Sequence, residues 1–140
     1  MSPTSVLVVE DYAPFRKFVR STLGERADVQ VICEVADGLE AVQKAEELKP
    51  DLILLDIGLP TLNGIEAARQ IRKLAPESKI IFVSQESDAD IVQEALSTGP
   101  ECYVVKTSAK SDLSAVIEAV CEGRQFVSGL LVQYVTGANP

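Results

Sequence analysis

Five short apolar runs recur along the chain, at residues 6–9, 29–35, 51–55, 79–83 and 102–105, each rich in β-branched residues or leucine. Their near-continuous hydrophobicity predicts strands buried on both faces. Between the runs, apolar residues recur at helical spacing. Phe15, Phe18, Val19 and Leu23 mark a first helix, Ala41, Val42, Ala45 and Leu48 a second, Ile65, Ala68, Ile71 and Leu74 a third, and Ile91, Val92, Ala95 and Leu96 a fourth. The fifth is clearest: Leu113, Val116, Ile117, Val120 and Cys121 fall at i, i+3, i+4, i+7 and i+8, which places all five on one face. The punctuation agrees. Pro14 suits a first helical turn, Ser87 or Asp88 an N-cap, and Pro50, Pro76 and Gly99 follow helix ends.

Strict alternation of strand and helix implies an α/β fold whose parallel strands are joined by right-handed crossovers, with helices on both sheet faces. No internal repeat or low-complexity linker interrupts it. After Gly123 the pattern changes: residues 124–128 read as a short extended piece, and Leu130, Leu131, Tyr134 and Val135 as one or two helical turns. Residues 1–123 are therefore expected to form one domain and residues 124–140 a C-terminal extension or the start of a linker.

Composition sharpens this picture by exclusion. The 140 residues hold 13 Lys and Arg against 21 Asp and Glu, a formal net charge of −8, and no histidine. The acidic balance, with no Lys/Arg run, predicts that this segment does not itself bind nucleic acid or an anionic membrane. Without histidine there is no Ser-His or Cys-His catalysis and no zinc site that needs an imidazole. Cys33, Cys102 and Cys121 are odd in number and lack C-x-x-C spacing, so they read as small core residues, with a Cys102–Cys121 pairing left open. The N-terminus lacks a basic n-region, and the apolar runs are far shorter than the roughly 20 residues that cross a bilayer. A cytoplasmic protein is expected.

Open α/β sheets bind ligands outside the carboxyl ends of their strands. That rim receives Glu10 and Asp11 after the first run, Asp56 after the third, Ser84 after the fourth and Lys106 after the fifth. Three acids against one lysine leave −2, and two carboxylates about 4 Å apart repel by roughly 4 kcal/mol at an effective dielectric of 20. A divalent cation balances the cluster. Oxygen donors without His or Cys favour Mg²⁺, with Mn²⁺ able to substitute. Carboxylate-held Mg²⁺ beside a lysine and a hydroxyl suits a phosphoryl group, with one carboxylate as nucleophile. Other uses of the fold fit poorly. Val9-Glu10-Asp11-Tyr12-Ala13 stands where a dinucleotide site needs G-x-G-x-x-G, no P-loop is present, and Ile57-Gly58 lacks the second Asp of aspartyl phosphatases.

The series Val9-Glu10-Asp11, Leu54-Leu55-Asp56-Ile57-Gly58-Leu59-Pro60 with Asn63-Gly64, Val83-Ser84 and Tyr103-Val104-Val105-Lys106 resembles the receiver domain of two-component response regulators over roughly residues 5–123. The resemblance implies a doubly wound five-stranded sheet of order 2-1-3-4-5, the flavodoxin-like receiver fold. It implies that Asp56 accepts a phosphoryl group from a histidine kinase. Asp11 would ligate Mg²⁺ directly, Glu10 through water, and Gly58 through its backbone carbonyl. Ser84 and Lys106 would each meet a phosphoryl oxygen. Tyr103 would be the aromatic whose rotamer accompanies activation, and the surface of the fourth helix, fifth strand and fifth helix would control homodimerisation, partner binding or transcriptional output. The loop after Asp56 and the exit at Glu122-Gly123-Arg124-Gln125-Phe126-Val127-Ser128 are most similar to receivers that precede a LuxR-type helix-turn-helix, although these 140 residues contain none.

Three departures stand beside the resemblance. Thr107 follows Lys106 where many receivers have proline, Gly99-Pro100 replaces the usual Gly-Ala, and Gly58 offers no side chain to a hydrolytic water. The Thr107 and Pro100 departures motivate an alternative, a receiver-like interaction module that works without phosphorylation. Taken singly, Glu10-Asp11 is a solvated turn, Asp56 a loop acid, Ser84 a strand-end hydroxyl and Tyr103 a packing residue.

Overall fold

A computed structural model describes residues 3–86 and 88–123. The elements, in chain order, are β1 (Thr4–Val9), α1 (Ala13–Gly24), β2 (Val29–Val35), α2 (Gly38–Leu48), β3 (Leu52–Leu55), α3 (Gly64–Leu74), β4 (Lys79–Ser84), α4 (Ala89–Leu96), β5 (Cys102–Val105), a 3₁₀ turn (Lys106–Ser108) and α5 (Ala109–Cys121). All neighbouring strands run parallel in the order β2-β1-β3-β4-β5. The expected five-stranded α/β sheet is thus present in the expected order.

Alternation along each strand divides the core into two layers. Leu7, Val9, Ile53, Leu55, Ile80, Phe82, Tyr103 and Val105 face α2, α3 and α4, where Ala41, Ala45, Ile65, Ala68, Ile71, Val92 and Ala95 pack against them. Val6, Val8, Leu52, Leu54, Ile81, Val83, Cys102 and Val104 face α1 and α5, against Val19, Leu23, Leu113, Val116, Ile117 and Val120. Burial on both faces explains why β1, β3, β4 and β5 carry no polar alternation, whereas the edge strand β2 leaves Gln30 and Ile32 exposed, against the expectation that all five runs are buried on both faces.

Local signals set the helix starts near the site. Asn63 Oδ1 accepts the Ile65 and Glu66 amides at 2.9 and 3.0 Å, capping α3. Asp88 caps α4 through the Asp90 and Ile91 amides, and Asp37 caps α2 through Glu40. The C-terminal turn of α3 is tied across the sheet edge by Arg72. Its guanidinium donates to the carbonyls of Ser78, Thr98 and Gly99, and lies 3.4 Å from Glu101, whose carboxylate accepts the Ile80 amide at 2.8 Å. Gly99 takes φ +77°, so the turn between α4 and β5 uses a conformation that glycine adopts freely.

Some details depart from the sequence reading. Cys121 is exposed at the end of α5 rather than buried with Leu113 and its neighbours, because the helix ends there. Leu48 and Leu74 end α2 and α3 at 38% and 36% exposure, beyond the reach of the sheet. Asp51 is not part of β3; it bridges to Ser5, accepting from its amide at 2.9 Å and hydroxyl at 3.1 Å. Ser87 and the pattern from residue 124 onward lie outside the described residues.

Candidate functional site

The carboxyl ends of β1, β3, β4 and β5 converge on one cleft of about 540 Å³. Asp11, Asp56, Gly58, Ser84 and Lys106 line it, together with Tyr12, Phe15, Gln85 and Glu86. Each side chain arrives there because its strand stops there. Asp56 directly follows β3 and donates its amide to Val9 O at 3.1 Å, which sets the acid beside the end of β1. Its Oδ1 accepts the Ile57 amide at 2.7 Å, and the residue is 5% exposed. Glu10, 3% exposed, lies behind the cleft wall. Its Oε2 accepts the Tyr12 amide at 3.0 Å, while Arg16 donates to its backbone carbonyl at 2.7 Å.

Lys106 joins these acids. Its Nζ lies 2.9 Å from Glu10 Oε1 and 3.2 Å from Asp56 Oδ2. Burial pushes the Glu10 carboxyl up to about 7, because Lys106 and the Tyr12 amide only partly offset the lost hydration. The acids Glu10, Asp11 and Asp56 each offer an oxygen, and these oxygens lie within 4.8 Å of one another, with Asp11 exposed and the other two buried. An all-oxygen donor set of three carboxylates, open on the Asp11 side and beside Gly58, fits a hard divalent cation. The sequence expectation brought these residues together, and the structure places all of them on one rim.

The β4–α4 loop carries a second feature. The Glu86 amide donates to Ser84 Oγ at 3.1 Å, and the Tyr103 hydroxyl donates to Glu86 O at 2.8 Å. Tyr103 is therefore turned inward, 2% exposed and stacked at a tilt on its cross-strand partner Phe82 with centroids 6.0 Å apart. Burial raises its phenol to about 12, so it remains a hydrogen-bond donor. The packing role expected of Tyr103 is present, with its ring turned inward.

Other features were not singled out from the sequence. Phe15, read as part of the buried face of α1, is only half-buried and lines the cleft, with Lys106 Nζ 4.7 Å from its ring centroid. Its position one helical turn after Asp11 was the available signal. Gly64 also has a hidden constraint: an added Cβ would run into the carbonyl oxygen of Asp56 and lie 2.8 Å from Ile57 Cα. No peptide bond among the described residues is cis, so Lys106–Thr107 is trans. No helix among the described residues is long and apolar enough to cross a membrane.

Comparison with known proteins agrees with this geometry. The family model of the response regulator receiver domain matches residues 6–118. The chain is 36% identical over 115 residues to the response regulator protein VraR of Staphylococcus saprophyticus, covering 82% of this chain and 55% of that protein. It thus spans about half the length of the curated relatives it matches. A LuxR-family two-component response regulator from Aurantimonas sp. SI85-9A1 superposes with a TM-score of 0.89 at 29% identity, covering 98% of each chain. The response regulator domain of Thermotoga maritima CheB superposes with a TM-score of 0.72 at 39% identity, over 86% of this chain and 92% of that one.

Proposed function

Because the chain belongs to the receiver domain family of two-component response regulators, we propose that it is a phosphoacceptor switch in which Asp56 takes a phosphoryl group from a histidine kinase. The observation that carries the proposal is the joining of Glu10, Asp56 and Lys106 on the rim, with Asp11, Ser84 and Gly58 around the same cleft. An Asp56 carboxylate oxygen attacks phosphorus, the new P–O bond forms as the P–N bond to the donor imidazole breaks, and the released imidazole takes up a proton. The absence of histidine from this chain fits a donor on another protein.

Asp11 and Asp56 would hold Mg²⁺ or Mn²⁺ by their carboxylates, Gly58 by its carbonyl, and Glu10 through water. The ion would neutralise the phosphoryl oxygens. Lys106 leaves Asp56 Oδ2 for a phosphoryl oxygen, and Ser84 turns its hydroxyl to another. The Glu86 amide then loses its partner on Ser84, and Tyr103 becomes the remaining hold on that loop. The surface of α4, β5 and α5 shifts population toward a homodimer, a partner or an attached transcriptional output. We place the protein in the cytoplasm, in keeping with its three cysteines standing as thiols. We also place nucleic-acid contact outside this segment. The acidic balance supports that placement; the comparisons do not, since the matched relatives extend well beyond the receiver.

Incubation with acetyl phosphate and Mg²⁺ followed by intact-mass measurement should show one phosphoryl adduct, absent from Asp56→Asn. An unchanged mass under conditions that label other receivers would sink the proposal. Equal partner affinity for the untreated and beryllofluoride-treated protein would instead support the interaction module that works without phosphorylation.

A further inference from the structure

We propose that Phe15 is a positioning residue for Lys106, its ring holding the ammonium at the mouth of the acidic cleft while the charges inside the cleft change. The inference rests on the reading of Lys106 as the cation that meets the phosphoryl group. Phe15 lies in the first turn of α1, directly after Pro14, with its ring centroid 4.7 Å from Lys106 Nζ. The ring is braced by Phe18, centroid to centroid 5.5 Å at 43°, and both rings pack against the core layer between the sheet and the α1–α5 pair. Together with Tyr12 and Lys106, Phe15 also separates the acidic cleft from a neighbouring apolar groove of about 370 Å³ bounded by Pro14, Phe18 and Ala109.

The ammonium therefore has partners of two kinds. Glu10 and Asp56 hold it by charge and hydrogen bonding, at 2.9 and 3.2 Å. That hold weakens when the carboxylates take a cation, and changes again when Asp56 becomes an acyl phosphate. The negative face of the ring attracts the ammonium whatever occupies the cleft. It makes no hydrogen bond to Nζ, so it does not compete with a phosphoryl oxygen as a further carboxylate would. An aliphatic side chain would supply packing without attraction. The Lys106 side chain is 15% exposed, a partly desolvated setting in which the attraction gains weight. Four flexible methylenes separate Nζ from the backbone, and a lateral partner keeps the released ammonium from turning out to solvent.

Two measurements on the 140-residue chain test the proposal. In the first, NMR of labelled lysine should show the Lys106 Hε protons shifted upfield by the ring in the wild type and restored in Phe15→Leu. An unshifted wild-type resonance overturns the contact, whether or not Asp56 accepts phosphate. In the second, phenylalanines bearing one to three fluorines are placed at position 15, which preserves shape while weakening the negative face. At saturating Mg²⁺, labelling by acetyl phosphate should slow stepwise, by about 3- to 10-fold at the trifluoro end and in Phe15→Leu. The same changes should have no further effect in a Lys106→Met background, where the ring has no ammonium to hold. Equal rates across the series in a protein that is labelled overturn the proposal. If the wild type is not labelled at all, the reading of Asp56 fails and the NMR shift alone decides the role of Phe15.

Discussion

Gly64 and Gly58 flank the same loop and predict opposite outcomes. Gly64→Ala drives a methyl group into the Asp56 carbonyl, a backbone atom that cannot swing aside, while an added Cβ at Gly58 meets nothing within 4 Å. Denaturant titration should show Gly64→Ala losing about 1–3 kcal/mol and Gly58→Ala staying within about 0.5 kcal/mol of the wild type. Cys102 offers a pH test. Burial pushes its thiol from 9.0 in the unfolded chain to about 12. Between those values the folded state binds more protons, so stability falls as pH rises, by about 1 kcal/mol at pH 10. Unfolding measured at pH 7.5 and pH 10 should show that loss, and Cys102→Ala should reduce it. Iodoacetamide applied to the native protein should modify exposed Cys121 and spare Cys102. Glu10, Asp56 and Lys106 were legible in the sequence because each directly follows a strand, Asp11 because it comes next after Glu10, and Ser84 because it ends a strand. Phe15 and Gly64 were not: helical spacing reports which residues share a face, and says nothing of a ring over an ammonium or of a carbonyl lying where a Cβ would be.

At the scale of elements, the strands and helices were legible because the apolar runs of β1, β3, β4 and β5 are sandwiched, β2 keeps Val29 and Val35 inside, and each helix presents one apolar stripe. The element ends were less so. Leu48, Leu74 and Cys121 keep the helical rhythm of their neighbours yet stand exposed, since periodicity cannot tell where a helix runs past the sheet beneath it. The Arg72 tie among α3, the α3–β4 turn and the α4–β5 turn was also silent in the sequence, being made of backbone carbonyls that any residue supplies. Arg72→Met should therefore cost about 1–3 kcal/mol. Hydrogen exchange should rise in residues 97–101 while α2, which makes no bond to Arg72, is unchanged. Uniform exchange across both segments would place the role of Arg72 elsewhere.

At the scale of the whole molecule, two packed layers bury the strands other than the half-covered edge strand β2, and the candidate site is confined to the strand ends on one rim. A cation bound there selectively by the folded state stabilises the entire domain, by about 2.7 kcal/mol at a hundredfold excess over its dissociation constant. Thermal unfolding at fixed ionic strength should rise in midpoint with MgCl₂, and Asp11→Asn should abolish most of that rise. A midpoint insensitive to MgCl₂ would remove the ion from the proposal. In the proposed switch, the β4–α4 loop would set the direction. Glu86 is moored at both ends of its peptide, by its amide to Ser84 and by its carbonyl to Tyr103. If phosphorylation recruits the serine, one mooring is cast off and the other stays. The message that leaves the rim would be a slackened line, carried by what the loop ceases to hold rather than by any new grip.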